Sequence, residues 1–256
     1  MQEGTCRPDE YEHTTVDVMY VAKNIPGPGI DLDDFESEFS IGCDCQENNC
    51  SINCSCTRGL PNYQEGRLNF KKSSELIIEC NPRCSCNENC LNKLVQHGPL
   101  DCLEIVPTSG KGLGLRTRRK ISKNRFICEY AGEVIGIEEA RNRAENNKRD
   151  CLMNYVLVVT EHIGYRKIIT CIDPKYFGNI GRYCNHSCRP NAALVPVRVE
   201  SNFPRLCLFA IRDIDIDEEI TFDYSGGLDK SSDNASDTPC HCGADCCLGF
   251  LPNFPI

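Results

Sequence analysis

The chain has 256 residues, of which 40% are hydrophobic, and a formal net charge of -9 at pH 7. This length is enough to bury one sizeable core, and no run approaches the roughly 20 apolar residues of a transmembrane helix, so we predict no membrane association. The acidic balance disfavours direct nucleic-acid binding, which requires a basic face, and favours a basic partner.

Residues 1–40 are polar and contain the string NIPGPGID, which predicts an extended or loosely packed N-terminal arm. The first residues lack the basic and apolar regions of a secretory signal, so we expect the chain to stay in a reducing compartment. Clustered cysteines in such a compartment are more often metal ligands than disulfides. The odd count of 21 cysteines also argues against a fully paired set.

Two dense cysteine groups, CDCQENNCSINCSC and CNPRCSCNENC, lie within residues 41–101. Because a tetrahedral zinc ion takes four ligands, nine thiolates supply the twelve bonds of three zinc ions if three thiolates each bridge two metals. This arithmetic predicts a triangular three-zinc cluster, and two zinc ions with one spare cysteine remain the alternative. Closed all-sulfur sites leave no open coordination position, so we expect a structural role. The nine residues are Cys43, Cys45, Cys50, Cys54, Cys56, Cys80, Cys84, Cys86 and Cys90.

Strand-like runs dominate residues 102–225, namely CLEIV, RFICEYAGEVI, NYVLVVT, KIITCI, RLCLFAI and EITFDY. One segment, IEEARNRAENNK at 137–148, is typical of a helix because it holds good helix formers after Gly136. Many short strands with one helix predict a mostly β fold of several small sheets, not a doubly wound α/β domain. Residues 226–239 predict a flexible linker, and a compact cysteine-rich tail follows at 240–256.

Four strings in the β-rich part carry more specific information: KGLGLRT, EYAGEV, YFGNIGRYCNHSCRPN and ITFDY. The glycine-rich string alone is a weak signal, since it lacks the βαβ context of a dinucleotide site. Together with the flanking cysteines, the strings resemble the SET-domain protein lysine methyltransferases with pre-SET and post-SET zinc modules. They look most similar to the methyltransferase half of the SET–mariner transposase fusion proteins. The resemblance implies a SET fold with a pseudoknot, a pre-SET module at 41–101, a SET domain at 102–225 and a post-SET tail at 240–256.

The resemblance also implies a site for the methyl donor S-adenosylmethionine (SAM) beside a lysine channel. Tyr224 is the expected principal catalytic tyrosine, and Tyr130 is expected to line the channel. Leu113 departs from the family, in which most members carry tryptophan, so only its backbone contact is carried over. The expected cofactor-binding residues are Gly112, Leu113, Tyr155, Arg182, Asn185 and His186.

A fourth zinc ion is implied where the tail returns to the SET domain. Its expected ligands are Cys188, Cys240, Cys242 and Cys247. The C-x-C-x4-C spacing selects Cys247, although the adjacent Cys246 could compete for the metal. We interpret Cys184 as a small buried hydrophobic residue.

The family's phenylalanine/tyrosine switch falls on Phe222, two residues before Tyr224. A phenylalanine there cannot anchor a water molecule, so the resemblance implies di- or trimethylation. The expected partner is a histone H3 tail or another basic peptide, which implies a nuclear, chromatin-associated protein. The nine-cysteine module resembles enzymes acting on lysine 9 of histone H3, whereas the fusion proteins point to lysine 36 or to a non-histone target.

A second hypothesis from another class stays open: a zinc-rich module that binds chromatin proteins without catalysis. The expected residue types at Arg182, Asn185, His186 and Tyr224 favour an active enzyme. RTRRK, residues 116–120, is the only dense basic run, and it is interpreted as either a weak nuclear signal or a solvated face.

Overall fold

The computed structural model describes residues 18–45, 50, 53–69, 76–163, 165–225 and 235–252. Within these ranges, short strands predominate and only one helix exceeds five residues, which confirms the predicted mostly β fold. The helices are α1 (Leu32–Glu36) and α2 (Ile137–Arg149), with 3-10 turns at Val95–His97 and Ile180–Tyr183. No helix in the described ranges is long and apolar enough to cross a bilayer.

The strands in chain order are β1 (Met19–Tyr20), β2 (Ile25–Pro26), β3 (Tyr63–Gln64), β4 (Arg67–Leu68), β5 (Ile77–Ile78), β6 (Leu103–Thr108), β7 (Gly112–Thr117), β8 (Phe126–Tyr130), β9 (Glu133–Ile135), β10 (Leu157–Ile163), β11 (Arg166–Asp173), β12 (Phe177–Gly178), β13 (Asn185–His186), β14 (Ala192–Arg198), β15 (Arg205–Ala210), β16 (Thr221–Phe222), β17 (Ala235–Pro239) and β18 (Phe250–Pro252). Two four-stranded sheets have the orders β5-β14-β15-β8 and β10-β11-β9-β2. The two-stranded sheets are β1-β12, β3-β4, β6-β7, β13-β16 and β17-β18.

Helix α2 begins where the sequence predicts, directly after Gly136, and ends one residue beyond the predicted limit. Its first turn carries Glu138 and Glu139, and its last turn carries Lys148 and Arg149. Acidic side chains near the N-terminus and basic ones near the C-terminus both stabilise the helix dipole. The charge pattern therefore supports the isolated helix in a chain otherwise rich in strands.

The strand β14 is absent from the sequence prediction, because Pro196 interrupts the run AALVPVR. On one side β14 pairs with β15 over six residue pairs, but β5 reaches only Val197 and Arg198 on the other. Among the described residues, Pro196 therefore has a strand neighbour on one side only. At such a position, the missing N–H of proline removes no hydrogen bond from a second ladder.

The described part of the N-terminal arm contains β1, β2 and helix α1, and it is packed against the β-rich domain. Strand β1 pairs in parallel with β12, and β2 pairs in parallel with β9. The ring of Phe35 stacks on Phe203 at 5.7 Å between centroids. Residues 1–17 of the predicted arm lie outside the described residues.

The predicted linker also differs from the structure at its C-terminal end. Residues 235–239 form β17, which pairs with β18 in the tail, whereas 226–234 lie outside the described residues. The Ser and Asp content of this segment predicts flexibility. Its pairing with β18 also depends on the sequence and position of that distant strand, which the composition of the segment does not reveal.

Two apolar clusters form the core on either side of the β5-β14-β15-β8 sheet. One contains Tyr130, Ile172, Leu208 and Phe222, and the other contains Phe126, Val197 and Phe209. Burying aliphatic and aromatic side chains contributes about 1.5–3 kcal/mol each, so these clusters supply most of the driving force for folding. The first cluster also holds the aromatic residues of the candidate site.

Candidate active site

The candidate site is built around two short strands that are distant in sequence. Strand β13 pairs in parallel with β16, so that Asn185 lies opposite Thr221 and His186 lies opposite Phe222. The Ser187 N–H donates to the Phe222 carbonyl at 3.1 Å, which extends the contact. The segments 181–191 and 219–224, far apart in the chain, therefore place their polar and aromatic residues together.

Asn185 links these strands to the glycine-containing hairpin β6–β7. Its Nδ2 donates to the Leu113 carbonyl at 3.1 Å and to Glu219 Oε1 at 2.8 Å. The second carboxylate oxygen of Glu219 accepts from Lys111 Nζ at 2.5 Å. Three segments of chain thus converge on one half-buried amide group.

The two glycines of the hairpin have different physical roles. Gly112 has a φ of +74°, a conformation that side chains disfavour, and no atom lies within 4 Å of the position that a Cβ would take. At Gly114, by contrast, a Cβ would lie 2.5 Å from Thr108 Cγ2 and 2.7 Å from Glu219 Oε1. Gly112 therefore leaves the backbone accessible, and Gly114 permits the close approach of Glu219.

His186 is buried and connects Tyr224 to Cys188. The Tyr224 N–H donates to Nδ1 of His186 at 3.2 Å, and Nε2 lies 3.4 Å from Cys188 Sγ. Because Nδ1 accepts a hydrogen bond, the proton of the neutral ring is on Nε2 and points at the sulfur. The ring also contacts Tyr224 edge-on, with centroids 5.3 Å apart.

Three aromatic rings pack beside this histidine. Phe222 lies 4.8 Å from Tyr224 and 6.0 Å from Tyr130, measured between ring centroids. The Tyr224 hydroxyl donates to the Cys184 carbonyl at 2.9 Å, and the Tyr130 hydroxyl donates to the Tyr155 carbonyl at 2.7 Å. Both hydroxyl protons are used, so each phenolic oxygen is left as an acceptor.

The surroundings keep both tyrosines protonated. Burial raises the pKa of Tyr224 well above its ordinary value, and the nearby Cys184 and Tyr155 add to the increase. Burial likewise raises the pKa of Tyr130, with a further contribution from Tyr224. Neither residue is a phenolate near neutral pH, so neither can serve there as a general base.

Arg182 and Tyr155 form a second part of the site. The guanidinium carbon of Arg182 lies 4.5 Å from the ring centroid of Tyr155 and 5.1 Å from that of Tyr183. The Nε of Arg182 donates to the Pro174 carbonyl at 3.0 Å. Arg182 is buried, and its charge is held against two aromatic faces, an arrangement that stabilises a desolvated cation.

The nine N-terminal cysteines lie in one cluster, and no disulfide joins any of the described cysteines. Neighbouring sulfurs are separated by 3.6–3.9 Å. Four sulfurs around a tetrahedral zinc ion at about 2.3 Å have edges of about 3.8 Å, whereas a disulfide is about 2.05 Å long. The spacing therefore fits zinc.

Shared sulfurs connect the metal-binding sets of this cluster. Cys43 belongs to three sets of four thiols, and Cys50 and Cys80 each belong to two. Cys90 is buried in the same cluster but belongs to none of these sets. The sets are Cys43–Cys56–Cys80–Cys84, Cys43–Cys45–Cys50–Cys54 and Cys43–Cys50–Cys80–Cys86.

Backbone and amide donors point at several sulfurs. The N–H groups of Cys43 and Asn81 donate to Cys84 Sγ at 3.4 and 3.3 Å, and Asn92 Nδ2 donates to Cys80 Sγ at 3.4 Å. Such donors stabilise a thiolate more than a thiol. The donor set and its spacing can thus hold metal ions.

A second set of four thiols lies at the C-terminal end. It consists of Cys188, Cys240, Cys242 and Cys247, whose sulfurs all lie within 4.8 Å of one another. Cys246 is exposed and lies outside this set, with its Sγ 3.7 Å from the Cys188 carbonyl. Cys184, interpreted from sequence as a hydrophobic residue, is fully buried.

Glu219 is the residue of the site that the sequence analysis missed. It contacts both Asn185 and Lys111, whereas the preceding Glu218 contacts Arg212 and Asn191. Two adjacent glutamates before ITFDY look equivalent in sequence. Only the alternation of side chains along an extended segment separates them, and no motif signalled which one faces inward.

Two known protein families match the sequence of this chain. The SET domain family matches residues 112–225, and the Pre-SET motif matches residues 6–93. The fold, the paired strands and the cysteine sets therefore define a SET-domain protein.

The mouse histone-lysine N-methyltransferase SETMAR is 41% identical over 250 residues, which cover 91% of this chain and 80% of the relative. The crystal structure of the methyltransferase domain of human SETMAR superposes with a TM-score of 0.84 at 36% identity, covering 97% of each chain. A structure of KRYPTONITE with mCHH DNA, an H3(1-15) peptide and SAH matches with a TM-score of 0.72 at 26% identity, over 93% of this chain and 48% of that one. The chain belongs to the SET-domain family of histone-lysine N-methyltransferases.

Proposed function

We propose that the protein transfers methyl groups from SAM to a lysine side chain of the histone H3 tail. The observation that carries this proposal is the convergence of Asn185, His186 and Tyr224 on one pair of parallel strands beside the β6–β7 hairpin. The family supplies the reaction, and the convergence of these residues supports their assignment to the cofactor and the substrate lysine. A histone substrate implies that the enzyme acts in the nucleus, on chromatin.

The residues around β13 fit the proposed methyl donor. Gly112 leaves backbone accessible at the hairpin, Asn185 offers amide groups, and Tyr155 and Arg182 form a cationic, aromatic surface. Gly112, Leu113, Tyr155, Arg182, Asn185 and His186 would hold the donor. When bound, SAM would supply a methyl group on a positively charged sulfur. A neutral amine would attack the methyl carbon in line, and the sulfur would leave as a neutral thioether.

The substrate amine must lose its proton before it can attack. A free lysine has a pKa of about 10.4, so about one molecule in a thousand is neutral at neutral pH. The buried rings of Tyr130 and Phe222 and the partly buried ring of Tyr224 would lower the amine pKa by desolvation and would hold the nitrogen in line with the methyl group. Water carries the released proton away, since neither tyrosine is a base near neutral pH.

The tyrosine hydroxyls orient the amine in this mechanism. Because each donates its proton to a carbonyl, its oxygen accepts a hydrogen bond from the substrate N–H. Tyr224 is the proposed principal catalytic residue, since its backbone N–H is also fixed by His186. Tyr130 lines the channel from the neighbouring sheet.

Phe222 supports di- or trimethylation as the product state. Its ring lies between the two tyrosines and adds no hydroxyl to the channel. A site without that hydroxyl cannot anchor a water at this point, so a methylated amine can turn and receive a further methyl group. The ring is buried and cannot leave without disrupting the core.

Lysine 9 is the first candidate target, and lysine 36 is the second. The H3(1-15) peptide held by KRYPTONITE includes lysine 9 and ends before lysine 36. The higher identity to SETMAR supports keeping lysine 36, which the sequence resemblance implies. The net charge of -9 favours any basic tail and does not distinguish the two.

Zinc is the metal that we propose for the cysteine sets. The sulfur spacing supports one ion in the tail and three ions sharing thiolates in the N-terminal cluster, an arrangement that would need Cys90 as a ligand beside the members of the three sets. These ions would hold the pre-SET and post-SET modules against the SET domain. The tail ion would also fix Cys188, which lies beside His186.

Methylation of matched peptides tests this proposal directly. The zinc-loaded 256-residue chain is incubated with SAM and with H3 peptides centred on lysine 9 or on lysine 36, each paired with a lysine-to-alanine control. Mass spectrometry is expected to find di- or trimethyl product on one peptide and none on its control. SAM binding without product on either peptide or on intact histone H3 would favour the non-catalytic chromatin module instead.

A further inference from the structure

A pocket lined by basic side chains lies between the β3–β4 hairpin and the loop that joins β7 to β8. Its volume is about 300 Å³, which is the lower limit of the range typical of small-molecule sites. The lining includes four cationic residues, Arg67, Arg119, Lys120 and Arg125, and one acidic residue, Glu65. None of these residues belongs to the candidate active site.

Two of the four cations face each other. Arg67 and Arg125 are partners in an antiparallel β-bridge, so their side chains leave neighbouring backbone positions. Like charges directly opposite each other on paired strands are destabilising. Among the described residues, no carboxylate lies within 4 Å of either guanidinium, although the protein as a whole is acidic.

The other two cations have acidic partners on the outer side. Arg119 pairs with Asp101, and Lys120 Nζ lies 3.2 Å from Asp213. Arg67 and Arg125 form no such close pair, although Arg67 contributes to lowering the pKa of Asp213 and Glu65 also lines the pocket. The last two residues of the RTRRK run, Arg119 and Lys120, therefore line one side of the basic pocket.

The turn at Gly66 fixes one of the two guanidinium groups. Arg125 Nη1 lies 3.4 Å from the Gly66 carbonyl, and a Cβ on Gly66 would lie 2.7 Å from the same nitrogen. Gly66 has a φ of +68°, which suits glycine at this turn. The turn thus makes room for the Arg125 side chain over the hairpin.

We propose that this pocket binds a phosphate-class anion through Arg67 and Arg125. Guanidinium groups donate paired N–H groups to phosphate oxygens, and a phosphate monoester or inorganic phosphate carries about -1.5 to -2 charge at pH 7. That charge matches two guanidinium groups without a close carboxylate partner better than the single charge of a carboxylate does. The hydroxyl of Ser122, which also lines the pocket, supplies a further donor. The phosphate group comes either from a free anion or from a nucleic-acid backbone.

Nuclear magnetic resonance of arginine side chains tests the site without using enzyme activity. The zinc-loaded 256-residue chain is titrated with inorganic phosphate, and sodium chloride at equal ionic strength is the reference titration. Saturable shifts are expected for the Nε signals of Arg67 and Arg125, and Arg67→Gln or Arg125→Gln should weaken the apparent affinity at least about tenfold. Arg149→Gln is the control, because it removes an exposed arginine that does not line the pocket.

A short fluorescent DNA duplex distinguishes the two sources of phosphate. Duplex binding that weakens at least about tenfold in Arg67→Gln and Arg125→Gln, but not in Arg149→Gln, identifies a nucleic-acid backbone. Phosphate-induced shifts without such duplex binding identify a free anion. Circular dichroism and zinc content establish that each variant is folded. Absence of both the saturable shifts and variant-sensitive duplex binding overturns the proposal.

Discussion

Asn185 and Glu219 are joined by a hydrogen bond of 2.8 Å between the Asn185 amide and the Glu219 carboxylate, which is itself paired with Lys111. This bond connects the two segments that form β13 and β16. The same amide reaches the Leu113 carbonyl, so the carboxylate orients a group shared by three parts of the proposed cofactor site. Glu219 is therefore expected to position Asn185.

Replacing Glu219 should weaken cofactor binding more than it slows methyl transfer. Glu219→Ala removes a charge-assisted hydrogen bond of about 1.5–3 kcal/mol, so the KM for SAM should rise about tenfold or more while kcat changes less. Glu219→Gln keeps an acceptor for Asn185, so its KM for SAM should lie between the wild-type and Glu219→Ala values. The control Glu218→Ala loses contacts with Arg212 and Asn191, and it should lower stability without this effect on KM. Equal KM values in both alanine variants would contradict a positioning role.

The fold was largely predictable, because hydrophobic strand patterns and the Gly136–Arg149 helix signal are local. Strand β14 escaped because Pro196 is a breaker in most strands and is tolerated here by the short partner β5. The packing of β1 and β2 against β12 and β9 also escaped, since two-residue strands carry no periodicity.

The candidate site was predictable only where a motif named its residues. The resemblance supplied Asn185, His186 and Tyr224, and the structure brings them together. Glu219 and the pairing of Arg67 with Arg125 depend on which segments meet in space. No single stretch of sequence contains that information.

Removing the Tyr224 hydroxyl should abolish most activity without unfolding the protein. Tyr224→Phe loses the acceptor proposed for the substrate amine, and a fall in kcat of about a hundredfold or more is expected. Its lost bond to the Cys184 carbonyl should cost only about 1 kcal/mol of stability. Tyr63→Phe is a matched control, because the Tyr63 hydroxyl is also buried but donates to Glu79, away from the site. Steady-state kinetics and thermal unfolding measure the two effects separately.

Adding a hydroxyl at Phe222 should change the product rather than the target. Phe222→Tyr places a polar group among Tyr130 and Tyr224, where it can anchor a water molecule. We expect mass spectrometry to find mainly monomethyl product from the variant and di- or trimethyl product from the wild type. Phe126→Tyr, in the other apolar cluster, controls for a hydroxyl added to the core. A wild type that stops at one methyl group would refute the proposed product state.

The adjacent cysteines of the tail should differ in their effect on metal content. Cys247→Ser removes a member of the four-thiol set, and elemental analysis should find about one zinc ion fewer per chain than in the wild type. Cys246→Ser changes an exposed thiol outside the set and should leave the zinc content unchanged. Equal zinc loss in both variants would mean that the two sulfurs exchange as ligands.

Glu129 should make the free energy of unfolding fall as pH rises from about 5.5 to 7.5. Burial raises its pKa to about 7, only partly opposed by Arg205, and its Oε1 has no hydrogen-bond partner. Since the unfolded carboxyl ionises near 4.3, the folded protein binds the extra proton, and the free energy of unfolding falls as pH rises toward and through 7.

From pH 5.5 to 7.5 this loss is about 2 kcal/mol, equivalent to about 4–8 °C in Tm for a domain of this size. Glu129→Gln should remove that part of the pH dependence, because a neutral amide does not titrate. Glu104→Gln is the control, since Arg118 and Arg116 lower the pKa of the Glu104 carboxyl to about 2 and it stays ionised throughout. Thermal unfolding at constant free zinc measures all three proteins. An unchanged slope in Glu129→Gln would contradict this prediction and assign the pH dependence to other groups.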